Sequence, residues 1–120
     1  MRENFVLKTL LEKGEITWSP KGNSMTPKID SGDEVVVKKV PAAACRVGDV
    51  VYAKVRGSYY LHLLTAIDPA YGRYQISNNH GHVNGWANTD SVYGVCVKVK
   101  DKVLISDEDL KKRIQAVTTK

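Results

Sequence analysis

Cysteine is scarce in this sequence: Cys45 and Cys96 stand far apart and outside any Cys-x-x-Cys or Cys/His ligand spacing. Such sparse usage excludes a disulfide framework or a cysteine-built zinc site, and it favours a reduced, cytoplasmic chain with buried thiols. Long apolar runs are missing too, and no stretch approaches the roughly 20 residues that cross a bilayer, so no membrane partner is expected. The opening segment "MRENFVLKTLLEKGE" interrupts its apolar positions with Lys8, Thr9 and Glu12 and is followed by no small-residue cleavage site, unlike a secretory signal. Acidic side chains number 13 against 18 Lys and Arg, a net charge of +5. The excess is scattered over positions such as Lys38, Lys39, Lys98, Lys100 and Lys111. A surface of this kind attracts nucleic acid or an acidic partner, but no nucleic-acid motif accompanies it, and solvated strand edges explain it equally well.

What is present fits one domain of 120 residues with ordinary globular composition. Phe5, Val6, Leu7, Leu10 and Leu11 recur at helical spacing ahead of Gly14, which predicts a short amphipathic helix within residues 1–14 that packs on the domain. From Ile16 the pattern turns to short β-type runs at 15–19, 34–40, 49–56, 58–67, 72–77 and 91–99, punctuated by Gly, Pro, Asn and Asp. Residues 15–105 therefore read as an antiparallel β domain, and the fold class as mainly β. "VVYAKVRGSYYLHLL" reads as a hairpin turning at Arg56-Gly57-Ser58. In "SDEDLKKRIQAV" Ser106 caps, Asp107 to Asp109 complement the helix dipole, and Leu110, Ile114 and Val117 share a face, so residues 106–120 are predicted to end the chain as a helix. The segment "NNHGHVNGWANTD", 78–90, is expected as a long irregular loop.

Chemistry is concentrated in "PKGNSMTPKIDSGDEVVV". A serine hydroxyl becomes nucleophilic only with a base to take its proton and donors waiting for the oxyanion. Gly22 and Asn23 lead into Ser24 in a turn that can aim backbone N–H groups beside Oγ, with Met25 next to it. For the base, strand alternation in "SYYLHLLTAI" puts His62 on one face with Tyr60 and Leu64. Taken singly, each residue has a plainer reading, turn chemistry for Ser24 and a satisfied core or edge position for His62.

The ordered set "GNSMTPKIDSGDEVVVKKV", "CRVGDVVYAKVRGSYYLHLLTAI" and "SVYGVCVKV" resembles the S24/S26 peptidase superfamily of LexA-type repressors, UmuD-like proteins and type I signal peptidases. The matching elements are Gly22, Ser24-Met25 and Pro27, Gly32-Asp33, Gly48-Asp49, the strand 59–66 and Tyr93-Gly94-Val95, over about residues 16–99. The resemblance implies a LexA/signal-peptidase-like β fold, homodimerisation, Ser24 as nucleophile, and His62 as general base in the place of the usual lysine. Ser-His members of the superfamily are the precedent for that exchange. It implies further that Gly22, Asn23 and Met25 serve the oxyanion or the substrate. An unperturbed imidazole already titrates near pH 6.5, so it needs less tuning than a lysine.

Two substitutions depart from the family pattern: Leu63 stands where an arginine usually follows the base, and Ser77-Asn78-Asn79 where Gly-Asp-Asn is expected. Asn78 is thus the expected orienting partner of His62, with Asp68 and Asp90 as alternatives. Only about fifteen residues precede the domain, without an Ala-Gly or Cys-Gly site, which counts against self-cleavage. His80 and His82 have no third ligand at a metal-like spacing, and neither metal nor cofactor is expected. With Asn79 and Trp86 they read instead as a recognition loop. Two functions follow: a serine peptidase acting on a peptide or protein, or an inactive S24-like binding or regulatory module, of phage or mobile-element type, that contacts a host protein or nucleic acid.

Overall fold

The computed structural model describes residues 4–118. The first helix, α1 (Phe5–Lys13), is closed at both ends: Asn4 Oδ1 accepts from Leu7 N at 2.9 Å, and Gly14, the stop its sequence predicts, at φ 80° sends its N–H back to Leu10 O. Eight antiparallel strands follow, β1 (Glu15–Trp18), β2 (Val35–Lys39), β3 (Val50–Val55), β4 (Ser58–Asp68), β5 (Arg73–Ser77), β6 (Val83–Asn88), β7 (Val92–Val99) and β8 (Lys102–Val103), and then α2 (Asp107–Thr118). Their order in the sheet is β1-β2-β7-β3-β4-β5-β6, with β8 on β7. The expected mainly β fold with a helix at each end is therefore what forms.

One expectation fails. Residues 83–88, expected as part of an irregular loop, form β6, paired with β5 from Arg73↔Asn88 to Ser77↔Val83. Asparagine and glycine hide the strand because neither favours a β ladder by itself; the pairing comes from β5. Trp86 accordingly lies on a strand and not in a loop, 41% exposed with the Arg73 guanidinium over its ring, so it is neither core nor pocket wall.

Alternation divides the apolar residues between two cores. Val51, Ala53, Val55 and Leu64 face one, which α2 closes with Leu110; Val50 and Tyr52 face the other, with Leu10 of α1, Met25, Ile29 and Val37. β3 and β4 are joined by the two residues Arg56 and Gly57, at φ 51° and 83°, the double positive φ of the turn type that matches strand twist. Both Gly-Asp pairs are built alike: Asp33 Oδ2 accepts from Asp30 N at 2.9 Å and Asp49 Oδ2 from Arg46 N at 2.7 Å, each closing the bend before a strand. Asp49 also binds Arg113 of α2 at 2.7 Å, with both side chains largely buried.

β4 changes neighbours along its length. Up to Leu63 it pairs with β3, and from Leu63 onward with β5. Leu64 N donates to Asp49 O, and Leu64 O accepts from Gly48 N. That parity turns the N–H and C=O of Tyr59 and Leu61 away from β3, toward an edge that no described strand covers. His62 sits where the sheet hands over.

Candidate active site

Ser24 lies in the segment between β1 and β2 and is exposed, whereas its neighbour Met25 is buried and anchors the turn in the second core. Gly22 opens the turn at φ 118°, a backbone region that glycine enters freely, and its N–H donates to Ser31 Oγ at 3.1 Å. Asn23 contributes its carbonyl, which accepts from Thr26 N at 3.2 Å and Thr26 Oγ1 at 2.9 Å.

His62 comes to this turn from β4. Its side chain is 7% exposed, 4.8 Å from the Tyr60 ring between centroids, and its Nε2 stands 3.0 Å from Ser24 Oγ. On the other side of the ring, Nδ1 is 2.6 Å from Asn84 Oδ1. An amide oxygen only accepts, so Nδ1 carries the proton, Nε2 is left with its lone pair, and the serine O–H donates to it. This is the tautomer a general base requires. Burial lowers the His62 pKa from the ordinary 6.5; the Asn84 bond opposes that shift, and the nearby His82 adds to it. The ring is therefore held neutral at pH 7.

The residue at Nδ1 is Asn84, not Asn78, Asp68 or Asp90. Asn78 Oδ1 accepts from His80 N at 2.8 Å and His82 N at 3.0 Å, so its side chain is spent on folding the β5–β6 turn. Asp68 sits at the far end of β4, paired with Arg73 at 3.0 Å. Asp90 is exposed in the short 3₁₀ segment Thr89–Ser91. Asn84 reaches the histidine because β6 bulges there. The ladder steps from Ile76↔Gly85 to Ser77↔Val83 and leaves Asn84 without a strand partner, which re-aims its side chain. Gly85 makes the bulge feasible: its φ is 144°, and a Cβ there would stand 2.8 Å from Val55 Cγ1.

Asn79 and His80, expected to recognise a ligand, are bonded to the turn of Ser24 itself. Asn79 N donates to Ser24 O at 2.8 Å, and its Nδ2 to Thr26 O at 3.1 Å and Met25 O at 3.4 Å. His80 Nε2 is 2.9 Å from Asn23 O and 3.1 Å from Thr26 Oγ1. The β5–β6 turn thus clamps the backbone on both sides of Ser24, while the side chains of His82 and Trp86, both exposed, take no part in the clamp. The clamp is invisible in sequence, because it joins segments more than fifty residues apart through main-chain carbonyls.

No curated protein matches the chain. The model of the Peptidase S24-like family does match, over residues 8–92, a stretch that holds the turn of Ser24, the strand of His62 and the bulge of Asn84. A match over well more than half of the 120 residues is membership, and the chain belongs to the Peptidase S24-like family.

Proposed function

We propose that this protein is a serine peptidase in which Ser24 is the nucleophile and His62 the general base. The observation that carries the reading is the relay from Ser24 Oγ to His62 Nε2 at 3.0 Å and from Nδ1 to Asn84 Oδ1 at 2.6 Å. In the first step Oγ attacks the scissile carbonyl carbon and its proton passes to Nε2. The main-chain N–H of Ser24 is the donor assigned to the developing oxyanion, since that of Gly22 is taken by Ser31 Oγ. The same proton then goes to the departing amine as the C–N bond breaks, and water, deprotonated by His62, releases the acyl group. The substrate is a peptide in extended form, lying against Tyr59 and Leu61 at the uncovered edge of β4.

The test is hydrolysis of a peptide library read by mass spectrometry. Wild type is expected to cut, and Ser24→Ala and His62→Gln to cut at least ~10²-fold more slowly. Full activity in Ser24→Ala contradicts the assignment.

A second reading, an S24-like binding or regulatory module without turnover, is favoured by one observation. The group at Nδ1 is an amide, which fixes the tautomer but gives no negative charge to stabilise an imidazolium. It is distinguished by capture of the same peptides by wild type and Ser24→Ala alike, with no cleavage.

A further inference from the structure

When Nε2 of His62 takes the serine proton the ring becomes a cation, and the relay itself holds no charge to steady it. Asn84 offers Nδ1 an amide oxygen. Among the described residues no carboxylate lines the cavity that Ser24 and His62 border. The charged or titratable side chains set around the imidazole are His82 of the β5–β6 turn, which lowers the His62 pKa, and Lys21, Tyr52, Tyr59 and Tyr60 along the cavity. Lys21 is exposed, and neither it nor His82 favours a cation beside it. Tyr60 is different. Its ring meets the imidazole at 4.8 Å between centroids, with the planes 36° apart and so nearer to stacked than to edge-on. The contact is built into β4. Tyr60 and His62 are two residues apart and share a face, where Cα atoms stand about 6.7 Å apart; rings at 4.8 Å therefore lean toward each other.

We propose that Tyr60 is a positioning residue for the reaction, its aromatic face stabilising the protonated form of His62 where a carboxylate is lacking. The proposal rests on the reading of His62 as general base. As Oγ bonds to the carbonyl carbon, the carbonyl π pair moves to oxygen and the serine proton to Nε2. The imidazolium so formed lies beside a ring whose face carries the negative part of its quadrupole, within the ~6 Å over which a cation is attracted to it. With His62 only 7% exposed, little water competes for that charge. The neutral ring gains far less from the same contact, so the stabilisation grows as the proton moves.

The experiment is an NMR pH titration of His62 in protein carrying isotope-labelled histidine, the resonance assigned by its loss in His62→Gln, beside rates of fluorophosphonate labelling. Tyr60→Phe keeps the ring and is expected to titrate as wild type does. Tyr60→Leu removes it, and is expected to lower the His62 midpoint by about 0.4 to 1.5 pH units and to slow labelling ~3–30-fold. The direction is diagnostic, because a smaller side chain admits water, and water alone moves the midpoint up. A phenylalanine with three ring fluorines at position 60 keeps the shape but weakens the negative face, and it is expected to titrate below Tyr60→Phe even if Tyr60→Leu does not fold. A midpoint that holds or rises in Tyr60→Leu, or one in the fluorinated protein equal to that of Tyr60→Phe, overturns the assignment. Lowered midpoints with unchanged labelling rates overturn the part of Tyr60 in the reaction. The titration needs no turnover: lowered midpoints without labelling of any protein sink the catalytic reading and leave the ring contact standing, whereas labelling with unmoved midpoints sinks the role of Tyr60 alone.

Discussion

At the residue scale the question is what an asparagine does for a histidine proposed as a general base. Asn84 fixes the proton on Nδ1 as a carboxylate would, yet leaves the His62 pKa below 6.5, because burial dominates and no anion offsets it. Only the neutral ring can accept the serine proton. A lowered pKa therefore extends the working range downward: activity is expected to fall with acid through a midpoint below 6.5, below that of an ordinary histidine. Asn84→Asp adds a negative charge beside the ring and is expected to move that midpoint up. Asn84→Ala removes the one bond that raises it, moving the midpoint down and slowing the reaction by ~10–10²-fold as the tautomer is released. A pH–rate profile for the three proteins measures both effects; identical midpoints would show that Asn84 does not govern His62. Ser24 and His62 were legible as a pair only through the family resemblance, because taken singly one reads as turn chemistry and the other as a core or edge position. Asn84 was not, since its direction depends on a one-residue bulge set by pairing with β5, and nothing local to "VNGW" announces a bulge beyond the glycine that permits it.

At the element scale, the β5–β6 turn is a brace for the nucleophile turn. Asn79→Ala keeps the main-chain bond to Ser24 O but loses those from Nδ2 to Thr26 O and Met25 O. Two such bonds contribute about 1 kcal/mol each, whereas a displacement of the nucleophile by about 1 Å slows a reaction ~10²-fold. Labelling or hydrolysis by Asn79→Ala is thus expected to fall by more than its loss of stability explains, with denaturant melts and rate constants measured on the same preparation. Rates that track stability alone would reduce the brace to ordinary folding. The sequence placed eight of the ten helices and strands, α1, β1 to β5, β7 and α2, close to their observed bounds. It missed β6 and the two-residue β8, whose pairing comes from neighbouring strands and not from their own composition.

At the scale of the whole molecule, one sheet with a helix on each face brings residues from the β1–β2 segment, β4 and β6 to a single point. Among the described residues the most enclosed ion pair is Arg113 of α2 with Asp49, just before β3, where the side chains are 13% and 10% exposed. Arg113→Ala leaves that carboxylate buried without its cation and is expected to cost about 3 kcal/mol, read as a lower urea midpoint. A loss under about 0.5 kcal/mol would place the pair among ordinary surface bridges. The cysteines belong to the same interior: both are buried, and burial pushes Cys45 up to about 12 and Cys96 up to about 11. Neither thiol is positioned to act as nucleophile, in keeping with the proposal that Ser24 does. Reaction of the native protein with a fluorophosphonate, followed by mass mapping of the adduct, tests that most directly. The account expects one adduct, on Ser24, absent in Ser24→Ala and slowed at least ~10²-fold in His62→Gln; no adduct, or one that persists at the same rate without His62, would contradict it.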